Sequence, residues 1–175
     1  MIKAKYLPTF LADSFYDIPA SFYRKQGYRN LLLDLDNTLA PYKEKEPSAK
    51  TMAWVAALQK EGLHLYIASN NTSKRVAHYA ECLGVKALSG LLKPFSFRLK
   101  RILKEQGFVK KETVLIGDQI MTDVVSANRS GIASILTEPL SKEEPWVTQW
   151  NRIFDRPKRK AIMKGHLVAS WKEKA

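Results

Sequence analysis

Cysteine is almost missing from this chain. A single thiol, Cys82, rules out an intrachain disulfide and fits a reducing compartment. It lies in Ala80-Glu81-Cys82-Leu83, with no protonated histidine or glycine-rich turn beside it, and reads as a buried helix position rather than a reactive thiol. No apolar run is long enough to span a bilayer. The N-terminal stretch MIKAKYLPTFLADSF breaks at Pro8, closes at Asp13 and offers no small-residue cleavage site, so it reads as mature sequence rather than a signal peptide. Histidine is scarce as well. His64 falls in a predicted strand, His78 on a helix and His166 in a basic tail, and no two share a metal-ligand spacing, which argues against a histidine-built metal centre.

Acidic residues are few beside basic ones, 17 against 29, and the net charge is +12. The excess is uneven. Residues 93–111 and residues 156–175 each carry seven cations against one acid. Such a field attracts polyanions such as nucleic acid, anionic lipid or phosphorylated substrates; the plainer alternative is a solvated surface that aids solubility. No specific nucleic-acid partner is expected.

The 175 residues suffice for one domain with a substantial core, and no internal repeat or low-complexity tract divides them. We expect a core over about 28–138, an aromatic N-terminal extension over 1–27 and a basic tail over 139–175. Five apolar segments read as strands, at 30–35, 63–69, 85–88, 113–117 and 132–136. They are apolar on both faces, as in a parallel sheet covered on each side. Helices fill the gaps. Ser48 caps one carrying Met52, Val55, Ala56 and Leu58, and Ser73 caps one carrying Val76, Ala77, Ala80 and Leu83. Pro94 precedes a third with Phe95, Leu99, Ile102, Leu103 and Gln106, and Gln119 or Thr122 opens a fourth through Val124, Val125 and Ala127 to Gly131. The expected fold is a three-layer α/β/α doubly wound, Rossmann-like five-stranded parallel sheet.

In the tail, Trp146, Val147, Trp150, Ile153 and Phe154 share one helix face, with Arg156-Pro157-Lys158-Arg159-Lys160 following. The favoured expectation is a helix docking that aromatic face on the core. The alternative is an interfacial helix, its tryptophans at headgroup depth and its lysines on anionic lipid. The aromatic N-terminal segment (Tyr6, Phe10, Phe15, Tyr16, Phe22, Tyr23) suits either a packed extension or the same surface.

Two carboxylate motifs carry the chemistry. Asp34-Leu35-Asp36-Asn37-Thr38 follows the apolar run Leu31-Leu32-Leu33, and Gly117-Asp118-Gln119-Ile120-Met121-Thr122-Asp123 follows Thr113-Val114-Leu115-Ile116. Each puts aspartates at the C-terminal end of a buried strand, the edge where open α/β sheets bind ligands. Four carboxylates converging there require a counter-charge, and a hard divalent cation supplies it. Phosphoryl transfer needs a nucleophile, an acid for the leaving group and charge neutralisation around phosphorus. Asp34 is a nucleophile fixed on a strand end. A sharp turn lets Asp36 reach the leaving oxygen while its carbonyl faces the metal, and Thr38 can hold that turn and offer its amide to phosphate.

These residues resemble a known family. Asp34-Leu35-Asp36-Asn37-Thr38-Leu39 is similar to the first motif, DxDxT, of the haloacid dehalogenase-like (HAD) phosphohydrolases. Ser69 matches their second-motif hydroxyl, Lys93 in Leu91-Leu92-Lys93-Pro94 their lysine, and Asp118 with Asp123 their acidic fourth motif. Four motifs in order, each at a strand or helix edge, make a specific signal. The resemblance spans about 28–138. It implies Mg²⁺ held by the Asp34 carboxylate, the Asp36 carbonyl and Asp118, with Asp123 supporting the metal directly, through water, or by orienting Lys93. It implies an aspartyl-phosphate on Asp34, Asp36 as general acid and then base, and Ser69, Asn70 and Lys93 clamping the phosphoryl oxygens beside Thr38. The two places where relatives insert a cap, 39–47 and 89–92, are too short for a domain, so an open site is expected, suited to a large or surface-borne substrate.

The words DLDNTLAPY, SNN, KP and GDQIMTD together resemble the capless, YqeG-like branch (subfamily IIIA), whose eukaryotic relatives act on phosphatidylglycerophosphate. This implies a lipid phosphomonoesterase, cytoplasmic and peripheral at the inner face of a membrane. Phosphoproteins, nucleic-acid ends and sugar phosphates remain alternative substrates, and oligomeric state stays open. A non-catalytic basic module for RNA or an assembly partner is the competing class. A phospho-accepting regulator is a third, disfavoured because such receivers lack a second acid two residues after the nucleophile.

Overall fold

A computed structural model describes residues 2–141 and 146–175, the side chains of 146–151 excepted. Six parallel strands form one sheet: β1 (Phe10–Leu11), β2 (Asn30–Leu33), β3 (His64–Ala68), β4 (Lys86–Leu88), β5 (Thr113–Gly117) and β6 (Ala133–Leu136), in the order β1-β6-β5-β2-β3-β4. The five expected strands are present. The sixth, β1, corrects the count. Phe10 and Leu11 are too short a run to read as a strand, and only pairing with Ile135 and Leu136 makes them one.

Helices follow the strands: α1 (Ala20–Lys25), α2 (Ala49–Lys60), α3 (Lys74–Leu83), α4 (Phe97–Glu105), α5 (Val125–Ser130) and α6 (Trp146–Lys164). Alternation along β2 sorts the two faces. Leu31 and Leu33 join one cluster with Val55 and Leu58 of α2 and Val76, Tyr79 and Leu83 of α3. Leu32 points the other way, to Leu99 and Leu103 of α4 and Ala127 of α5. This is the three-layer α/β/α doubly wound architecture expected. The Ser48 hydroxyl accepts from the Thr51 N–H at 3.1 Å and caps α2, whereas Ser73 precedes α3 without a side-chain cap.

Several interior assignments move. Met52, Ala56, Ala77, Phe95 and Gln106 are exposed, while Trp54 and Tyr79 pack inward instead. Cys82 is exposed, not buried, because α3 turns Tyr79, Ala80 and Leu83 to the core and leaves position 82 outside that arc. The N-terminal aromatics are a packed extension. Phe10 meets Phe22 edge-on at 5.3 Å, and Trp171, near the C-terminus, meets the same Phe22 at 5.7 Å.

The tail departs furthest. α6 does not dock through Ile153 and Phe154, which are exposed. Trp146, Val147 and Trp150 have side chains outside those described. The inward face carries Arg152, Asp155 and Ile162, with Arg159 beside them, and it packs on the turn after β5. Charged groups at the sheet edge need partners, and α6 supplies them.

Phe22 closes the contact between the two chain ends. Phe22→Ala should cost about 3 kcal/mol or more of unfolding free energy, measured by denaturant titration, because both termini lose their shared ring contact.

Candidate active site

β2 lies between β5 and β3, so the chain leaves it in one direction and later returns on the other side; the crevice at that switch is the binding edge of such sheets. Leu33 pairs with Ile116, and the Asp34 N–H donates to the Ile116 carbonyl at 2.9 Å. Asp34 and Asp118 therefore leave neighbouring strands side by side.

After Asp34 the chain folds back on itself. Asn37 sits at φ 63°, a left-handed conformation that asparagine tolerates better than most residues. Its side chain accepts from the Ser141 N–H at 2.7 Å and donates to the Ser141 carbonyl at 2.8 Å, tying the turn to the segment after β6. The turn brings the Thr38 hydroxyl between two carboxylates, 3.1 Å from Asp34 Oδ2 and 3.0 Å from Asp118 Oδ1.

Lys93 enters from the loop after β4. Its Nζ donates to Asp34 Oδ1 at 2.6 Å, Asp123 Oδ1 at 2.7 Å and the Ala68 carbonyl at 2.8 Å, which uses all three ammonium protons. Asn70 fastens that loop, accepting from the Lys93 N–H at 2.6 Å and donating to the Lys93 carbonyl at 2.9 Å. Expected among the phosphoryl clamps, the Asn70 side chain is thus engaged with the lysine's backbone. Ser69 is buried next to Ala68.

Asp123 is delivered by one wide helical turn, Ile120–Val124, in which the Val124 N–H reaches the Gln119 carbonyl five residues back. A Cβ on Gly117 would lie 2.4 Å from the Asp123 carboxyl carbon, so only glycine leaves that carboxylate its place. Asp118, fully buried, pairs with the Arg152 guanidinium of α6; Arg152 and Arg159 also donate to its backbone carbonyl. Asp155 accepts from the Ile120 and Met121 N–H groups, both at 2.9 Å.

Burial pushes the Asp34 carboxyl well up, against the pull of Lys93, and pushes Asp118 up to about 6, against the pull of Arg152. Burial alone would depress Lys93, but the Asp123 and Asp34 carboxylates outweigh it and raise it. Asp34, Asp118 and Asp123 each offer an oxygen within 4.8 Å of the others. Three acids face two cations there, Lys93 and Arg152. An all-oxygen set with surplus negative charge fits a hard divalent ion.

The expected residues Asp34, Thr38, Lys93, Asp118 and Asp123 thus meet in one pocket, with Ser69 and Asn70 beside it. Asp36 stands apart, half-buried at the mouth. Arg75 Nη1 donates to its Oδ1 at 2.5 Å, and Arg75 is itself fixed by the Pro41 carbonyl at 2.9 Å and the Glu44 carbonyl at 2.7 Å. Arg75, Arg152, Asp155 and Arg159 were not expected here. A signal existed for the last three: positions 152, 155, 159 and 162 repeat at helical spacing, as regularly as the apolar stripe that drew attention.

The six-stranded parallel fold and its carboxylate–lysine pocket are those of a haloacid dehalogenase-like phosphatase without a cap domain. The family model of mitochondrial PGP phosphatase matches residues 2–141, and the chain belongs to that family. Among curated relatives, a Bacillus subtilis protein named Probable phosphatase YqeG is 29% identical over 99% of this chain and all of its own length. Phosphatidylglycerophosphate phosphatase 1 of Arabidopsis thaliana is 31% identical over 72% of this chain and 39% of its own length. Among solved structures, a HAD family hydrolase of Streptomyces avermitilis, named putative in its description, superposes with a TM-score of 0.53 at 19% identity, covering 74% of this chain and 80% of its own.

The pocket should respond to a hard divalent cation before any substrate is added. A concentration about 100 times the dissociation constant should add about 2.7 kcal/mol of stability, read as a rise in Tm, and Asp118→Asn should remove it. Because the folded carboxyl is raised to about 6, Asp118 favours the fold most when protonated and progressively less as pH rises from its unfolded value, about 3.9, through 6. Protons compete with the ion below about 6, so the cation-induced shift should fade there.

Proposed function

We propose that the chain is a Mg²⁺-dependent phosphomonoester hydrolase that works through an aspartyl-phosphate on Asp34 and converts phosphatidylglycerophosphate to phosphatidylglycerol. One observation carries the chemistry: Asp34 is held between Lys93 on one oxygen and Thr38 on the other, at the strand edge where ligands bind. Mg²⁺ would be held by the Asp34, Asp118 and Asp123 carboxylates with the Asp36 carbonyl, and would supply charge neutralisation for nucleophile and phosphate.

Asp34 attacks phosphorus, forming the acyl-phosphate bond as the bond to the leaving oxygen breaks. Asp36 gives that oxygen its proton, and the glycerol hydroxyl departs. Asp36 then takes a proton from water, whose oxygen attacks phosphorus; inorganic phosphate leaves and Asp34 is restored. Lys93, Ser69 and Thr38 neutralise and orient the phosphoryl oxygens, while Asn70 keeps Lys93 in place. For Asp36 to carry its proton, Arg75 must yield the contact it makes there when substrate enters.

The substrate reading draws support from the family, from the Arabidopsis and Chlamydomonas reinhardtii relatives bearing that substrate's name, and from two insertion slots neither of which holds a domain. The chain would meet its substrate peripherally, at the cytoplasmic face of a bilayer; among the described residues no helix is long and apolar enough to cross one.

Asp34→Asn should abolish phosphate release from both an aryl phosphate and short-chain phosphatidylglycerophosphate, with the fold intact by circular dichroism. Asp36→Asn should slow both by about 10²–10⁴-fold. Turnover retained in Asp34→Asn would reject the mechanism. Aryl phosphate cleaved while the lipid is refused would reject the substrate.

A further inference from the structure

Large apolar side chains that stay exposed are not spread evenly over this molecule. Among the described residues ten are exposed, and six of them (Leu92, Phe95, Phe97, Leu140, Ile153 and Phe154) lie within a few residues in the chain, or one hydrogen bond, of groups that build the carboxylate pocket. Each is tied to that pocket. Leu92 is the chain neighbour of Lys93, and the turn it opens, closed by the Phe95 N–H on the Leu92 carbonyl at 2.9 Å, leads straight to Phe97. The Leu140 N–H donates at 3.0 Å to the carbonyl of Asn37, inside the turn that follows Asp34. Ile153 and Phe154 adjoin Arg152, which holds Asp118. The other four are Met52, Val109, Met163 and Leu167, of which Val109 precedes β5 and so lies toward the opposite end of the strands from the pocket.

Phe95 and Phe97 are the extreme case, each 60% exposed. Two phenylalanines left in water two residues apart, in the loop and helix start that follow Lys93, mark a surface that something apolar covers. Exposed cations follow these apolar residues along the chain: Arg98 and Lys100 after Phe97 on α4, and Arg156 and Lys160 after Phe154 on α6.

We infer that this rim is a membrane-docking surface, in which Leu92, Phe95 and Phe97 on one side of the pocket and Ile153 and Phe154 on the other enter an anionic bilayer while the flanking cations meet its headgroups. The inference rests on the lipid reading above and names the surface that presents the site to that lipid. Charge decides the occupant. A second copy of a chain with net charge +12 would bring like charge onto like, whereas an anionic leaflet satisfies both the apolar and the basic parts of the rim. Leucine and isoleucine beside the phenylalanines favour acyl chains over stacked bases, since base stacking needs aromatic faces.

The test uses the full chain and sedimentation with vesicles of phosphatidylcholine, with and without phosphatidylglycerol. Wild-type protein should bind only the anionic vesicles. Phe95→Ser/Phe97→Ser should lower that partitioning about tenfold or more and lower turnover of vesicle-borne phosphatidylglycerophosphate in step. Aryl phosphate and short-chain lipid should be cleaved as before, and Val109→Ser should change nothing. Partitioning that survives the double substitution overturns the docking surface and leaves the substrate reading standing. Short-chain lipid refused by wild type, with partitioning still dependent on the phenylalanines, overturns the substrate reading and leaves the surface standing. Salt-sensitive binding of single-stranded RNA that is lost in the double variant, without vesicle binding by wild type, overturns the surface in favour of nucleic acid.

Discussion

A single ammonium group between two buried carboxylates organises the functional edge of this protein. Lys93 bridges Asp34 at 2.6 Å and Asp123 at 2.7 Å, and all three groups are out of water. Burying such charges is costly, and removing one partner leaves the others uncompensated, at a cost of order 3–5 kcal/mol. The surrounding structure must therefore deliver three chain segments to one point with little play. The β2–β5 register does this for Asp34, the wide turn against Gly117 does it for Asp123, and the Asn70 side chain does it for the lysine by holding both backbone polar groups.

The last helix belongs to the same electrostatic unit. The family match ends at 141, yet Arg152 lies beyond it and engages the carboxylate of Asp118. Counting Asp34, Asp118 and Asp123 against Lys93 and Arg152 leaves one surplus negative charge in the pocket. A divalent ion would turn that to one positive, and a dianionic phosphoryl group would return it to one negative. Through the proposed cycle the buried site never departs far from neutrality, which a low-dielectric pocket requires. Without Arg152 the resting surplus would double.

Much of this was legible in the chain. Apolar runs flanked by glycine and turn residues announce a parallel sheet, Asp34 and Asp118 are legible as carboxylates at two of its strand ends, and Lys93 and Asp123 are legible through the resemblance of their motifs to those of the family. What escaped was set by tertiary contact. Phe10-Leu11 has no strand pattern of its own and becomes one only against β6. α6 offered two stripes at helical spacing, one apolar and one charged; hydrophobicity alone favours the apolar one inward, but unsatisfied carboxylates and N–H groups at the sheet edge reward Arg152 and Asp155 more. Arg75 gave no sign in advance, since its partners Asp36, Pro41 and Glu44 lie more than thirty residues away in the chain.

The inward turn of the charged stripe has a consequence for the outward one. A helix whose polar side is consumed in the interior must show its remaining residues to the surroundings, and here those include Ile153 and Phe154. If the proposed docking surface holds, the interfacial role weighed as the alternative for the tail falls instead to exposed residues of α6 together with the Leu92–Phe97 segment. That placement also answers a difficulty of capless architecture. Acyl-phosphate chemistry benefits when bulk water is kept from the reacting centre, and neither loop at the cap positions can close over it. A bilayer seated on the apolar rim would exclude water from the same direction as a cap. It would also present the phosphomonoester to Asp34 already oriented, with its glycerol oxygen toward Asp36 and Arg75. In this reading the missing domain and the exposed phenylalanines are two aspects of one arrangement: the lid is the surface on which the substrate lies.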